Sequence, residues 1–88
     1  MLEFVKKALR IRHTQLDDVI ETYITAAIND MALKGVKQLD EEDPLIMDCV
    51  SAYVSMLMND NPQVVEMWYK SYERQLDGLR KSARYGEE

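Results

Sequence analysis

The side chains best suited to bond-breaking chemistry are few in this sequence, and they stand far apart. His13 is the single histidine and Cys49 the single cysteine. A Cys–His pair can make a thiolate nucleophile, but these two are 36 positions apart. Cys49 also falls on the apolar stripe of its own helix, where burial keeps a thiol protonated and inert. His13, beside Thr14 at a helix start, reads as a solvated turn residue. One His and one Cys give zinc no ligand set. The run Asp40-Glu41-Glu42-Asp43 has cation-binding side chains but lacks the alternating ligands and central glycine of a calcium loop. It reads as a solvated loop whose last member caps a helix. There is no glycine-rich phosphate cradle and no nucleophile elbow. The expectation is a protein without catalytic residues, metal or cofactor, and not an enzyme.

Charge and apolar residues beyond a single stripe point instead to contacts with other chains. Basic residues gather near the start (Lys6, Lys7, Arg10, Arg12) and near the end (Arg80, Lys81, Arg84), around an acidic middle. Such segregation lets the ends of one subunit meet the middle of its neighbour. Met47, Met56, Met58, Met67, Tyr69 and Tyr85 lie partly off the main stripes, and Met and Tyr are enriched at interfaces. The candidate interface residues are therefore Lys6, Lys7, Arg10, Met47, Met56, Tyr69, Arg80, Lys81 and Arg84. Trp68 shares a stripe with Val65, Tyr72 and Leu76, so it is expected to be structural.

These residues must be positioned by helices, since apolar residues recur at helical spacing throughout. A short first helix runs from about Leu2 to Leu9, with Leu2, Val5 and Leu9 on one face and Lys6, Lys7 and Arg10 off it. Thr14 is the expected cap of the second helix, whose stripe is Leu16, Val19, Ile20, Tyr23, Ile24, Ala27, Ile28 and Met31. Gly35 stops it, and Val36 folds back on Met31. After the acidic loop, Asp43 caps and Pro44 opens the third helix. Its stripe is Ile46, Cys49, Val50, Tyr53, Val54 and Leu57. Asn61 and Pro62 open the fourth in the same way, with Val65, Trp68, Tyr72, Leu76 and Leu79 on its face. Asp77-Gly78 is expected to end or fray that helix, because glycine costs about 1 kcal/mol relative to alanine in a helix interior. Residues 79–88 are expected to form a polar tail whose removal leaves the subunit fold intact.

The 88 residues suffice for one domain, taken as 1–88, with residues 1–10 as the N-terminal helix. Only roughly 60–65% of the unfolded surface is buried at this size, so association is a plausible source of extra stability. Three Gly and two Pro offer little for the turns of an all-β fold. The fold class is all-α, a small bundle of about four helices with short connections. No stretch is apolar enough to span a membrane, no signal peptide is evident, and the reading is an intracellular protein. A net charge of −5 argues against holding DNA through its phosphates. A helix–turn–helix regulator is the alternative, but its recognition helix would be Pro44 to Met58, which has no Lys or Arg to read base edges.

The order of these pieces resembles one known family. Leu2-Glu3-Phe4-Val5-Lys6-Lys7-Ala8-Leu9-Arg10-Ile11 is similar to the opening of the head–tail connector, or adaptor, proteins of long-tailed bacteriophages and prophages, often labelled DNA-packaging proteins. Leu16 to Ile20, Ile24-Thr25-Ala26-Ala27, Leu33 to Val36, Asp43 to Ile46, Val50 to Val54, Asn61-Pro62 and Lys70-Ser71-Tyr72-Glu73 follow in the family's order. Asp77-Gly78-Leu79 departs from it, where a more helix-friendly stretch is expected. The resemblance implies a ring of identical subunits beneath the phage portal, extending the DNA channel and docking the next head-completion or stopper protein. It also implies a place at the head–tail junction of the virion, with assembly in the host cytoplasm, and DNA passing through without specific binding.

Overall fold

The computed structural model describes residues 1–86. Among them four helices follow in chain order, α1 (Leu2–Ala8), α2 (Asp17–Leu33), α3 (Pro44–Met58) and α4 (Pro62–Lys81). The class is all-α, with no strand among the described residues. The body is a flattened bundle of 41 × 27 × 18 Å.

Two helix starts follow directly from the sequence. Asp43 Oδ1 accepts from the Leu45 N–H at 2.9 Å, and Asn61 Oδ1 accepts from the Gln63 N–H at 3.0 Å. In each case a proline fills the first helical position, where its missing N–H costs nothing. The end of α2 is also as expected. Gly35 takes φ +101°, and the Val36 N–H donates to the Met31 carbonyl at 3.0 Å while Gly35 donates to Ala32 at 3.2 Å. Val36 and Met31 are both buried, so an apolar contact closes the turn.

Three expectations need correction. Thr14 does not cap α2: its carbonyl accepts from Asp17 in a preceding turn, and Leu16 holds the cap position with no side-chain bond. Asp17 and Asp18 in the first turn instead complement the positive end of the helix dipole. Asp77-Gly78 does not end α4, which continues to Lys81. The Asp77 carboxylate holds Arg80 and Lys81, each at 2.9 Å, and both cations also face the negative end of the dipole. These contacts offset the cost of the glycine.

The third correction concerns the tail, which folds back on the bundle as far as it is described. Lys37 and Gln38 N–H groups both donate to the Tyr85 carbonyl, at 2.6 and 3.0 Å. The Tyr85 hydroxyl donates to Asp43 Oδ2 at 2.8 Å, and the ring is buried. Gly86 is also buried, and a side chain there would run into the Arg80 carbonyl. The last two positions of the expected tail, Glu87 and Glu88, lie outside the described residues.

The core forms around α3, which packs against α1, α2 and α4. That arrangement explains its apolar residues on more than one face. Ile46, Cys49, Val50 and Val54 are fully enclosed, and the small buried residues Ser51, Ala52 and Ser55 let neighbours approach. The extra apolar faces of this helix are thus largely covered within the subunit. Leu57 on α3 and Val19 on α2, expected on the buried stripes, flank them and remain exposed. Trp68 is half-buried against the core, while Tyr72 and Leu76 on the same helix lie fully inside it.

Candidate functional site

The chemistry-bearing residues do not converge. Cys49 is enclosed in the core, and desolvation, with Asp48 and Asp30 nearby, pushes its thiol up to about 12. His13 is exposed in a bend between α1 and α2. Among the described residues no group of three or more His, Cys, Asp or Glu is placed to hold a metal ion. No described helix is long and apolar enough to cross a membrane.

The polar groups that do converge knit the subunit together. Tyr72, on α4, donates to Asp30 Oδ2 on α2 at 2.6 Å. Burial, followed by that hydrogen bond and the Asp30 charge, pushes the Tyr72 hydroxyl well above the usual tyrosine range. Lys34 lies 3.2 Å from Asp30 and 5.8 Å from the centre of the Tyr72 ring. The Tyr53 ring meets Tyr72 edge-on at 5.1 Å between centroids. A second hub is Asp43, only 8% exposed. It accepts from Tyr85, the Leu45 N–H and Gln38 Nε2, with Arg84 3.6 Å away. Hydrogen bonding from Tyr85, opposed by desolvation and helped by the other donors, holds its carboxyl below the usual range. The expected solvated acidic run therefore ends in an enclosed tie between the tail and the start of α3.

The candidate interface residues divide accordingly. Lys6 is 7% exposed, with its Nζ 2.7 Å from Asp17 Oδ1, so it links α1 to α2 instead of facing a partner. Arg80 and Lys81 engage Asp77, and Arg84 lies over the Tyr85 ring at 5.3 Å. Tyr85 itself, read from sequence as lying off the stripes, belongs to the core. Met47 and Met56 are half-buried. Tyr69 is exposed, and its hydroxyl donates to Glu73 Oε1 at 2.6 Å, which raises its pKa.

Lys7, Arg10 and Arg12 differ from these. They are exposed, make no ion pair among the described residues, and line one concavity with Ile11 at the end of α1. Arg10 has φ +60°, the left-handed conformation normally left to glycine. The Ile11 N–H reaches the Lys6 carbonyl at 2.9 Å and the Arg10 N–H reaches Lys7 at 3.1 Å, the same bond pattern that closes α2 at Gly35. The surface also carries exposed apolar residues that sequence periodicity did not single out. Leu33, at the end of α2, is 87% exposed, and Leu45 and Phe4 also face outward.

A helical chain with a knitted interior, and with three exposed cations at one end that make no ion pair among the described residues, has a surface suited to binding other chains. Comparison with protein families decides which kind: residues 1–85 match the family described as phage connector protein. The chain belongs to the phage connector protein family. The role that follows is that of a structural head–tail connector, a component of the phage virion. No curated protein and no solved structure matches the chain. In this connector, α3 carries no Lys or Arg and packs against the other three helices.

Proposed function

We propose that this connector associates with copies of itself into a closed ring under the portal of the phage head. The ring extends the DNA channel and presents its far side to the head-completion or stopper protein that docks next. Subunits assemble in the host cytoplasm and end at the head–tail junction. The observation that carries this reading is the family match over residues 1–85. The uneven surface supports it, because cations at the end of α1 with no ion pair among the described residues, on a chain of net charge −5, favour a neighbour that is itself acidic. A heterologous contact of that kind closes into a ring when its rotation divides a full turn. Many copies of an acidic subunit also give a channel wall that repels the duplex, so DNA slides through without sticking.

Sedimentation across protein concentration and ionic strength, alone and with the portal protein of the same phage, tests the reading. Concentration-dependent, salt-sensitive assembly or co-migration with the portal is expected. A chain that stays monomeric throughout and never joins the portal defeats it. Duplex DNA added at physiological salt should leave the mass unchanged, and a salt-dependent, submicromolar complex would favour a DNA-binding role instead.

A further inference from the structure

The helix glycine on α4 has no reason inside the subunit. A Cβ built on Gly78 meets nothing within 4 Å, and its backbone lies outside the left-handed region. Neither packing nor conformation demands glycine there, yet it costs about 1 kcal/mol relative to alanine in a helix interior. A helix position without a side chain and open to solvent leaves room for another chain to approach the backbone closely. Gly78 forms part of the wall of a groove of about 290 Å³ between the start of α3 and the end of α4, floored by Leu79 and Tyr85. Leu45, 56% exposed, lines the same groove. Asp48 is on its rim, exposed and without an ion pair among the described residues. The groove is thus apolar, carries one uncommitted carboxylate, and is open at its glycine.

A candidate for the complementary surface lies on another helix, α1. On α1, Phe4 is 37% exposed and Lys7 follows one turn later on the same face. Lys7 has no ion pair among the described residues, nor has Arg10 beyond it. We propose that the outer face of α1, with Phe4 and Lys7, seats in the α3–α4 groove at Gly78 of the next copy of this chain, Lys7 facing Asp48. The proposal rests on the ring reading and names its contact. An aromatic ring beside a cation complements an apolar groove beside a carboxylate. The α1 face and the groove share no residue and no helix, so each copy can donate one and receive the other, as a closed ring requires. The exposed apolar residues Phe4 and Leu45 would then become mutually covered.

The test mixes two single-cysteine additions in the full chain, leaving the enclosed Cys49 in place. Protein carrying Phe4→Cys is mixed with protein carrying Gly78→Cys under mild oxidation. A mixed disulfide should form well above the level seen when Leu33→Cys replaces Phe4→Cys. In parallel, Gly78→Leu should melt no lower than the unsubstituted chain, since the site is open, while its self-association weakens at least tenfold. Lys7→Asp and Asp48→Lys should each weaken association, and the pair together should restore it. A mixed disulfide no more abundant than the Leu33 control overturns the contact. So does normal assembly by Gly78→Leu, or a charge-swapped pair that fails to recover. If the unsubstituted chain still sediments as a ring in those cases, the proposed function stands and only this contact falls. If the unsubstituted chain remains monomeric and never joins the portal, both fall together.

Discussion

The two basic ends of this chain look alike in sequence and are used in different ways. At the C-terminal end the cations are engaged inside the subunit. Arg80 and Lys81 hold Asp77, and Arg84 sits beside Asp43 and over the Tyr85 ring. At the N-terminal end only Lys6 is engaged, with Asp17, while Lys7, Arg10 and Arg12 have no ionic partner among the described residues. A count of charges cannot separate these cases; the acid within reach of each cation does. The difference shows the C-terminal cations engaged within the fold, and it is the reason the proposed contact with another chain is placed at the N-terminal turn.

The strongest way to break this comparison is to remove the C-terminal tie. Truncation after Ser82, or Tyr85→Ala, empties a buried ring site and leaves Asp43 without its hydroxyl donor. The expected outcome is a thermal midpoint lower by roughly 10 °C or more, with loss of helical signal, measured by circular dichroism. Unchanged melting would return the segment to the class of dispensable tails. A gentler probe is acid. The folded Asp43 value lies below its unfolded one, so its contribution is full above about pH 4, the ordinary carboxylate range. It is lost as pH falls through the lowered folded value. Asp43→Asn or Tyr85→Phe should therefore reduce stability at neutral pH and flatten the acid limb of a pH–stability curve. Arg84→Ala should change it little, because that side chain is largely solvated.

The parts of the fold that were legible in sequence are those that local chemistry controls. Asp43-Pro44, Asn61-Pro62 and Lys34-Gly35-Val36 each place a turn or cap within a few residues, and helical periodicity gives the four elements. The missed features are contacts between residues far apart in the chain. Tyr72–Asp30 and Tyr85–Asp43 each bridge 42 positions, and no spacing rule reaches that far. From sequence, Tyr85 thus reads as a residue off the main stripes and Asp43 as a helix cap alone, with no tie between them. Similarly, Lys6 lies off the apolar stripe of α1, and only the packing of α1 against α2 brings it to Asp17. The excess apolar residues of α3, read from sequence as contacts with other chains, are largely covered by α1, α2 and α4 of the same chain. Of the candidate site, Lys7 and Arg10 were legible as charge, whereas the groove at Gly78 needed the tertiary structure.

Two adjacent lysines sharpen the comparison within the N-terminal end. Lys6→Ala removes an enclosed ion pair and leaves the partly buried Asp17 carboxylate without its cation. A loss on the order of 1–2 kcal/mol is expected in urea unfolding. Lys7→Ala, one position on and exposed, should stay within about 0.5 kcal/mol of the unsubstituted chain. Self-association should respond in the other direction, weakening for Lys7→Ala by more than the change in fold stability explains. Equal effects of the two on folding would mean that both lysines serve the subunit alone.

The smallest expected effect separates two turns built with the same hydrogen bonds. The ends of α1 and α2 are closed alike, but Gly35 occupies the left-handed position of one and Arg10 that of the other. Gly35→Ala should cost about 1–2 kcal/mol, because φ +101° strains any residue with a Cβ. Arg10→Gly should do the reverse and stabilise the subunit by about 0.5–1 kcal/mol, since the strain at φ +60° disappears. A more stable fold with weaker, less salt-sensitive association would show that the arginine is kept for its charge at the cost of its backbone. Denaturant melts paired with sedimentation at low and high salt read both quantities on the same protein. If Arg10→Gly assembles as the unsubstituted chain does, the unpaired cation at this turn contributes nothing to the ring, and the contrast between the two ends rests on Lys7 and Arg12 alone.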